Sequence, residues 1–514
     1  MRKFILFFLL VLLSGCTKPE EKTLSELLDE IVIDEVVSEN LTLPDTYELN
    51  DNIVSAIWNS DKPRVIAIDG KVTRGLNNEE VTLTVDLFYG TETVHKVFPV
   101  LVPGSPELQG YSIVYNLNMP FQIVQDIELP TEFAFDTTGT WKTSDPNVLT
   151  NKGKIPDDFE GTKTVTLTLT LDTGYEKEFL MTVSSNNHLI IDSEFNGSSE
   201  NLTLNEEGRL VLEEGLLEGT YESDIYETLF FTDAVASWAA TSSKQATVEL
   251  FVRLRVNGEW SRYFSYGEWG LGNENKMTTG QSDNLVTLSQ DELIVRNSST
   301  ANALQFKAIL RRNASTDASP ELALIAAALN IPDYKFNVDT SKLRQEVDYD
   351  VPKLYQHVVP EIGNQICSPT SATMLLQYYG HKLTDIGEYE YPHEYIARLF
   401  NDYGNNIFGN WVYNTVGISA FGEISYVKRM YSSDELLYHL DSVGPVSASV
   451  RGTLVGESGY SWTTSGHLIV VRGYRIEDDQ VYILANDPNL KDVYEEYKLE
   501  NFMSFWRNVV YIVE

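Results

Sequence analysis

The chain has 514 residues, which is too long for one ordinary domain and predicts about three to five of them. Hydrophobic residues make up 42% of it and charged residues 22%, as in globular proteins. The 75 acidic residues outnumber the 38 basic ones, and because the formal net charge of −37 repels polyanions, we expect no nucleic acid and no anionic lipid surface as a partner.

The N-terminal stretch MRKFILFFLLVLLSGC, residues 1–16, has the pattern of a signal peptide. Two basic residues precede the apolar stretch 4–13, which is too short to span a bilayer. The ending LSGC resembles the bacterial lipobox, which implies that Cys16 is lipidated and becomes the first residue of the mature protein. We therefore expect an extracytoplasmic protein, on the cell surface or in the periplasm, that contacts the membrane only through this N-terminal lipid.

A sequence repeat follows. Trp58 corresponds to Trp141, and Gly-Lys-Val at 70–72 corresponds to Gly-Lys-Ile at 153–155, a constant shift of 83 residues. Both copies contain alternating strand patterns and turn residues, which predicts two tandem β-sandwiches. The pattern resembles bacterial immunoglobulin-like domains, and this resemblance implies a spacer or an adhesion element.

We assign these two sandwiches to residues 41–104 and 120–185. The acidic residues 17–40 before them are predicted to be a tether that contains at most a short helix.

Residues 188–330 are also rich in strand patterns. Apolar residues alternate with mostly polar ones between Val248 and Val256, and Asn257-Gly258 then predicts a hairpin turn. This region resembles the jelly-roll domain that precedes the peptidase domain in some bacterial extracellular proteins. Four of its aromatic residues either stack on a carbohydrate or belong to the core and rim of the sandwich: Trp238, Trp260, Tyr263 and Trp269. Residues 331–350 are predicted to be a linker.

The stretch CSPTSATMLLQYYG, residues 367–380, predicts a buried helix. Ser368 is a good N-cap, Pro369 suits the first helical position, and Gly380 ends the helix. Cys367 therefore lies at the amino end, where free N–H groups and the helix dipole favour a thiolate. If Cys16 carries the lipid, Cys367 has no disulfide partner, because the chain has only two cysteines, and a lone thiol in an exported protein suggests a reactive group.

A thiolate nucleophile needs a base, and His467 is the strongest candidate. Two apolar, β-branched runs flank the polar residues 477–480, which predicts a hairpin folding about residues 477–478. His467 then faces Asp487 or its neighbour, and a carboxylate there would fix the imidazole tautomer. Asn486 is the alternative partner, as the asparagine is in papain.

The motifs VPKLYQ, CSPTSATMLLQYYG, GPVSASVRG, GHLIVVRGY and VYILANDP resemble papain-superfamily peptidases related to the double-glycine leader peptidases of bacteriocin exporters, in their extracellular branch. The resemblance covers residues 351–514. It implies that Cys367 is the nucleophile, that His467 is first the general base and then the acid, and that Asp487 orients His467. It also implies an oxyanion-binding glutamine, for which Gln356 matches the setting best and Gln365 is the alternative.

Other polar residues of this region are predicted to have lesser roles. His381 and His393 are expected on the surface or at the rim of the site. Arg451 and Trp462 either line the cleft or occupy core and strand-edge positions. No Cys/His or carboxylate cluster has metal-ligand spacing and no glycine-rich phosphate loop occurs, so we expect no metal and no cofactor.

The sequence as a whole predicts a multidomain protein. Its N-terminal part is all-β, with two immunoglobulin-like sandwiches and a jelly-roll-type sandwich, and residues 351–514 form an α+β papain-like domain. The predicted function is that of a membrane-anchored cysteine peptidase, amide hydrolase or transpeptidase acting on a peptide or cell-wall peptide, with carbohydrate or surface-protein ligands as candidates for the β-domains. The alternative is a surface adhesion or ligand-binding lipoprotein whose papain-like domain is catalytically idle.

Overall fold

The structure, a computed structural model, describes residues 21–117 and 119–514. The predicted signal peptide and Cys16 lie outside the described residues. The described chain divides into two compact units. The first contains the described residues up to 119 together with 130–141 and 168–178, and the second contains 120–129, 142–167 and 179–514.

The first unit begins with a short helix, α1 (Leu24–Glu30), which a capping box starts. The Thr23 hydroxyl accepts from the N–H of Glu26 at 3.2 Å, and the Glu26 carboxylate accepts from the N–H of Thr23 at 2.7 Å. The leucines of α1 are buried in the core of the first sandwich, and the Val37 N–H donates to the Leu101 carbonyl at 2.9 Å. The short helix of the predicted tether is present, but the segment is not a tether over residues 24–37, because the leucines of α1 together with Ile31 and Val37 are buried against the first sandwich.

Four antiparallel strands form the sheet of this first sandwich, in the order β1-β2-β3-β4, and a helix follows them. Their bounds are β1 Thr46–Leu49, β2 Asn52–Ser60, β3 Glu79–Tyr89, β4 Glu92–Val102 and α2 Pro106–Asn116. Every second residue of β3 is buried from Val81 to Leu87, because successive side chains of a strand point to opposite faces.

The second sequence repeat also contains a four-stranded sheet, in the order β5-β8-β7-β6. Its strands are β5 Gln122–Ile123, β6 Gly139–Thr143, β7 Thr162–Leu171 and β8 Glu176–Ser184. The two corresponding tryptophans make the same contact: Trp58 Nε1 donates to the Pro44 carbonyl at 3.0 Å and Trp141 Nε1 donates to the Pro130 carbonyl at 2.8 Å. The repeat in sequence is thus also a repeat in local structure.

Two seven-stranded sheets follow and enclose a common core. Their strands are β9 Leu189–Asp192, β10 Ser198–Glu200, β11 Leu202–Leu204, β12 Leu210–Leu212, β13 Glu218–Glu222, β14 Tyr226–Phe231, β15 Asp233–Thr241, β16 Ala246–Val256, β17 Glu259–Trp260, β18 Phe264–Trp269, β19 Val286–Ser289, β20 Glu292–Val295, β21 Ala301–Arg312 and β22 Glu321–Asn330. One sheet has the order β10-β13-β21-β16-β17, with β14 paired to β21 and β18 to β16. The other has the order β11-β12-β22-β15-β20-β19, with β9 paired to β22.

The aromatic residues singled out in this sandwich separate into two groups. Trp238 and Trp269 are fully buried core residues, so neither is available for stacking on a sugar. Trp260 and Tyr263 are half-buried, and both rings lie 4.8 Å from the guanidinium of Arg253. Of the four aromatic residues singled out in the sequence, Trp260 and Tyr263 are therefore the two with surface left to contact a ligand.

The C-terminal domain combines a seven-stranded sheet with helices. Its elements are β23 Glu346–Asp348, a 3₁₀ helix Gln356–Val358, α3 Cys367–Tyr378, α4 Pro392–Phe400, α5 Trp411–Ser419, β24 Ser425–Arg429, α6 Ser433–Ser442, β25 Val446–Val455, β26 Ser461–Glu477, β27 Gln480–Asn486, β28 Tyr494–Lys498, α7 Leu499–Phe505 and β29 Trp506–Val513. The sheet order is β24-β29-β25-β26-β27-β28, with β23 paired to β26. Residues 331–350 are not a free linker, because β23 joins this sheet and Ile331 and Tyr334 are buried.

The jelly-roll sandwich and the C-terminal domain share one hydrophobic core. Helix α5 packs on β15, and the Tyr413 hydroxyl donates to the Tyr266 carbonyl at 3.0 Å. The carboxylate of Asp291, in the β19–β20 turn, accepts from the N–H of Trp411, the first residue of α5, at 2.6 Å. A side chain of the sandwich thus satisfies one of the free N–H groups at the start of a helix in the neighbouring domain.

Within the described residues, no helix is both long and apolar enough to cross a membrane.

Asp291 provides a test of this junction. Burial raises its pKa to about 7, although the N–H of Trp411 stabilises the carboxylate. Between about pH 4, the usual pKa of Asp, and about pH 7, the folded protein holds a proton that the unfolded chain has lost, so rising pH favours unfolding. We expect wild type to lose stability relative to Asp291→Asn over this range in thermal melts. Asp291→Ala should be destabilised by about 1–3 kcal/mol, because the N–H of Trp411 loses its acceptor.

An identical pH dependence of wild type and Asp291→Asn would contradict this account of the junction.

Candidate active site

Cys367 is the first residue of α3 and is half-buried. Ile366 occupies the N-cap position, so the prediction that Ser368 caps the helix is wrong. The helix begins earlier, and the buried Ser368 hydroxyl lies 2.7 Å from the Tyr511 hydroxyl on the inner strand β29. Pro369 lies in the first turn, where the missing N–H costs no helical hydrogen bond.

The far end of this helix agrees with the sequence prediction. It ends at Tyr378, and Gly380 follows with a positive φ of 98°, a conformation that glycine adopts without strain. The helix is anchored to the sheet near its start, where the Ser371 hydroxyl donates to the Leu468 carbonyl of β26 at 3.2 Å. The helix start and the middle of β26 are thereby held together.

His467 lies on β26 and is only 4% exposed. Its Nε2 is 2.7 Å from Oδ1 of Asp487, a fully buried residue just beyond the end of β27. The same Oδ1 also accepts from the Asn489 N–H at 2.9 Å, so the carboxylate is held from two sides. Asn486, the alternative partner, instead donates its side-chain amide to the Val351 carbonyl at 3.0 Å.

The hairpin that joins these residues differs in register from the prediction. Its turn residues are Asp478 and Asp479, both with positive φ, one position later than expected. A bulge between Val471 and Gly473 shifts the register again, and the last paired residue of β27, Asn486, faces Val470. His467 and Asp487 are therefore not paired across the ladder, and their side chains meet beyond its last pair.

The surroundings of Cys367 favour its thiolate. Burial alone would raise the pKa of the thiol, but the charge of His467, a hydrogen bond to that imidazole and the N–H groups of Leu468 and Ser368 lower it by more. For His467, burial lowers the pKa, but Asp487 and the Cys367 thiolate outweigh it and raise the pKa to about 10. Since Nε2 contacts Asp487, Nδ1 is the ring nitrogen left for the thiol.

Trp462 lies against this histidine. The two ring centroids are 4.9 Å apart in an edge-to-face arrangement with an interplanar angle of 82°. Trp462 is half-buried, so its ring covers one side of the imidazole, while Arg451 is exposed on β25. Of the two candidates for lining the cleft, Trp462 is thus the one whose ring contacts His467.

The two candidate glutamines lie in different surroundings. Gln356 is 3% exposed, and its backbone N–H donates to the carbonyl of Pro488, the residue after Asp487, at 2.9 Å. Its side-chain Oε1 has no hydrogen-bond partner in the part of the chain that the structure describes. Gln365 is exposed in the turn before α3. The buried amide beside the Asp487 loop is thus that of Gln356.

The two histidines expected on the surface or at a rim lie in different surroundings. His381 is partly exposed beyond the C-terminal end of α3, and its Nε2 lies 2.7 Å from Glu423 Oε1, as expected of a surface residue. The prediction for His393 is wrong, because this residue is 2% exposed on the inner face of α4, and burial lowers its pKa to about 4. Its neutral ring fills the core.

Among residues 21–117 and 119–514, no group of three or more His, Cys, Asp and Glu side chains could hold a metal ion.

Four segments of the chain match three protein-family models. Residues 349–513 match the Peptidase_C39 like family, and residues 197–330 match the Peptidase C39 N-terminal domain. The C-terminal domain is Peptidase C39-like. Residues 30–105 and 114–186 each match the atrophied bacterial Ig domain. The predicted family resemblance and fold class are confirmed, and the C39-like domain supports a function of the cysteine-peptidase type.

Solved structures resemble the chain only weakly. Carbohydrate-binding modules of the β-sandwich superfamily match with 12% identity over 54% of this chain and 97% of theirs, with a TM-score of 0.15. The CBM51-2 and INT domains of Clostridium perfringens ZmpB, in complex with GlcNAc, match with 10% identity over 65% of this chain and 89% of theirs, with a TM-score of 0.14. Scores this low carry no inference about the chain. No curated protein matches it.

The C39-like domain also contains supporting residues that sequence reasoning missed. The hydroxyl of Tyr511 is hydrogen-bonded to that of Ser368, and the hydroxyl of Ser371 donates to the Leu468 carbonyl. The Leu468 N–H is hydrogen-bonded to the sulfur of Cys367. These contacts join residues that are far apart in sequence, so local periodicity carries no signal for them. The order of motifs along the chain indicates which segments meet but not which side chains support them.

The pH dependence of Cys367 alkylation tests the charge state of the site. Because the pKa of Cys367 is lowered and that of His467 is raised to about 10, the thiolate–imidazolium pair should persist through neutral pH. We expect iodoacetamide to react with Cys367 half-maximally well below pH 8.5, the usual pKa of a cysteine. His467→Gln should move the profile to higher pH, since a half-buried thiol then lacks its counter-charge.

A wild-type midpoint at or above pH 8.5, or an unchanged profile in His467→Gln, would contradict the ion pair. His381→Gln is the matched control and should react as wild type does.

Proposed function

We propose that the protein is a lipid-anchored, extracytoplasmic cysteine peptidase in which Cys367 is the nucleophile, His467 the general base and acid, and Asp487 the residue that orients His467. One observation carries the proposal. The buried imidazole of His467 shares a hydrogen bond with the Cys367 sulfur and lies 2.7 Å from the Asp487 carboxylate. The contacts of Cys367, His467 and Asp487 support this proposal, because cysteine-peptidase chemistry uses a thiol, an imidazole and an orienting group in that order.

The first half of the reaction would form a thioester. The Cys367 thiolate attacks the carbonyl carbon of the peptide bond, a C–S bond forms and the electron pair of the C=O bond moves onto oxygen. The free N–H groups at the start of α3 and the side-chain amide of Gln356 stabilise this oxyanion. The intermediate then collapses, the C–N bond breaks, and His467 gives its proton to the departing amine.

The second half would release the acyl group. Neutral His467 takes a proton from water as the water oxygen attacks the thioester carbonyl. The C–S bond breaks, the thiolate–imidazolium pair is restored, and the product leaves as a carboxylic acid that loses its proton to solvent. An amine that replaces water in this step receives the acyl group, so amide hydrolysis and transpeptidation use the same residues.

Asp487 would contribute through the imidazole. Its carboxylate keeps the proton of neutral His467 on Nε2, so that Nδ1 faces the sulfur, and it stabilises the imidazolium during each proton transfer. Trp462 limits the access of water to this pair, which strengthens the electrostatic interaction between the two charges.

The rest of the chain would place this domain outside the cell. A lipid on Cys16 would tether it to the bacterial membrane, with peptide or cell-wall peptide as the substrate. The half-buried pair Trp260 and Tyr263, with Arg253 between them, is the candidate surface for a carbohydrate or surface-protein ligand on the jelly-roll sandwich.

The activity is tested with a peptide library and the purified chain. We expect Cys367→Ala and His467→Ala to lower kcat/KM by at least about a hundredfold, because general acid–base catalysis alone contributes about 10²–10⁴. His381→Ala, at a partly exposed histidine beyond the far end of α3, should cleave as wild type does. Cleavage by Cys367→Ala at the wild-type rate would overturn the proposal. The absence of cleavage and of covalent labelling of Cys367 in the wild type would favour an idle domain in a binding lipoprotein.

Gln356 and Gln365 form a matched pair for the oxyanion role. Gln356→Ala should lower kcat by about 10²–10³ with little change in KM, because its amide would contact only the developing oxyanion. Gln365→Ala should be close to wild type, since this side chain is exposed. The reverse ranking in steady-state kinetics would transfer the role to Gln365.

Lipid attachment is tested in cells by labelling with a radioactive fatty acid. The full-length chain should incorporate label and stay with the membrane fraction, whereas Cys16→Ser should do neither. Label in Cys16→Ser, or an unlabelled wild-type chain, would contradict the anchor.

A further inference from the structure

The C39-like domain contains a cavity that is distinct from the candidate catalytic residues. Its volume is about 320 Å³, within the range of small-molecule sites. None of Cys367, His467, Asp487 or Gln356 lines it. The residues that matter to its chemistry are Asp348, Asp350, Lys353, Arg472, Asn486 and Tyr494.

Two cations meet at this cavity. The guanidinium of Arg472 lies 4.4 Å from the centroid of the Tyr494 ring, and Lys353 Nζ lies 5.0 Å from the same centroid. Lys353 is exposed and makes no ion pair within the described residues. In a chain of formal net charge −37, Lys353 and Arg472 thus bring two cations to a cavity whose wall also carries the carboxylates of Asp348 and Asp350.

Buried polar atoms without partners belong to two of the same residues. Arg472 is 7% exposed, and its Nε has no hydrogen-bond partner in the described chain. Asn486 is fully buried, and its Oδ1 also lacks one. An unsatisfied buried donor or acceptor destabilises the fold, so a polar occupant of the cavity would be favoured.

The carboxylates at the cavity restrict what it can bind. Asp348 pairs with Arg472, whereas Asp350 is exposed at the wall and makes no ion pair within the described residues. With two cations and two carboxylates at the cavity, a phosphate dianion would leave more uncompensated negative charge than a single carboxylate, for which Lys353 and the unpaired Nε of Arg472 are the donors. The planar guanidinium also matches the planar carboxylate.

We propose that this cavity binds a small ligand through one carboxylate, such as an amino acid or the C-terminal residue of a peptide. Lys353 and Arg472 hold the carboxylate, and Tyr494 forms the wall on which both cations rest. The site is separate from the thiol, so binding does not require the proposed peptidase activity.

The position of the cavity connects it to both arms of the candidate active site. Asn486 precedes Asp487, and its side-chain amide donates to the carbonyls of Val351 and Pro352 at 3.0 and 3.3 Å. Residues 351–353 lead directly into the 3₁₀ helix that begins with Gln356. A ligand here contacts the segments that position Asp487 and Gln356 without occupying the cleft.

A ligand-observed NMR titration tests the proposal on the full chain carrying Cys367→Ala, which cannot turn over peptide. The probes are N-acetyl-L-alanine, N-acetyl-L-alaninamide and inorganic phosphate. We expect N-acetyl-L-alanine to bind and the amide and phosphate to bind at least about tenfold more weakly, because only the first is a carboxylate monoanion. Lys353→Gln, at an exposed position, should raise the Kd by about tenfold or more. The exposed control Lys382→Gln should leave it unchanged.

Equal binding of the acid and the amide, tighter binding of phosphate, no binding of any probe, or an unchanged Kd in Lys353→Gln would each overturn the proposal. Wild-type protein alkylated at Cys367 should bind N-acetyl-L-alanine with the same Kd. Loss of binding on alkylation, with normal binding by Lys353→Gln, would place the ligand in the active cleft instead.

Discussion

The contact on which the candidate site depends is that between His467 Nε2 and Asp487 Oδ1, 2.7 Å apart and almost completely buried. A buried carboxylate needs a charged partner, and a buried imidazole stays protonated only beside a negative charge. Cys367 supplies the second negative charge when it ionises. The Cys367 thiolate and the His467 imidazolium therefore stabilise each other, and Asp487 adds to the stability of the imidazolium.

The fold brings these groups together from separate elements. The β26–β27 hairpin carries His467 and Asp487, α3 carries Cys367, and the bond between Ser371 and the Leu468 carbonyl holds helix to strand. The jelly-roll sandwich also stabilises this arrangement. It shares a core with the C39-like domain, and its Asp291 holds the start of α5, a helix that packs against α3. The sandwich is thus part of the structural support of the site.

Local sequence patterns predicted much of this site, and the reasons are physical. A cysteine ahead of Ser-Pro and an amphipathic run marks a helix start, and a histidine before an apolar hairpin with Asn-Asp-Pro at its end marks a rigid pair. The errors came from long-range packing. The bulge near Arg472 changed the register of the hairpin. His393 is buried because of the way α4 packs against the domain, and the Ser368 hydroxyl is hydrogen-bonded to Tyr511 instead of capping the helix. Because residues 17–40 are acidic, their composition also did not indicate that the leucines of α1 are buried.

The protonation state of His467 tests the central claim most directly. It can be measured by NMR of the full chain labelled with ¹⁵N-histidine, with His467→Gln to assign the signals. The account predicts that both ring nitrogens of His467 carry protons at neutral pH and that deprotonation occurs only near pH 10. It also predicts that Cys367→Ala lowers this pKa, because the thiolate charge is lost. A neutral His467 ring at pH 7 in the wild type, or an unchanged titration in Cys367→Ala, would contradict it.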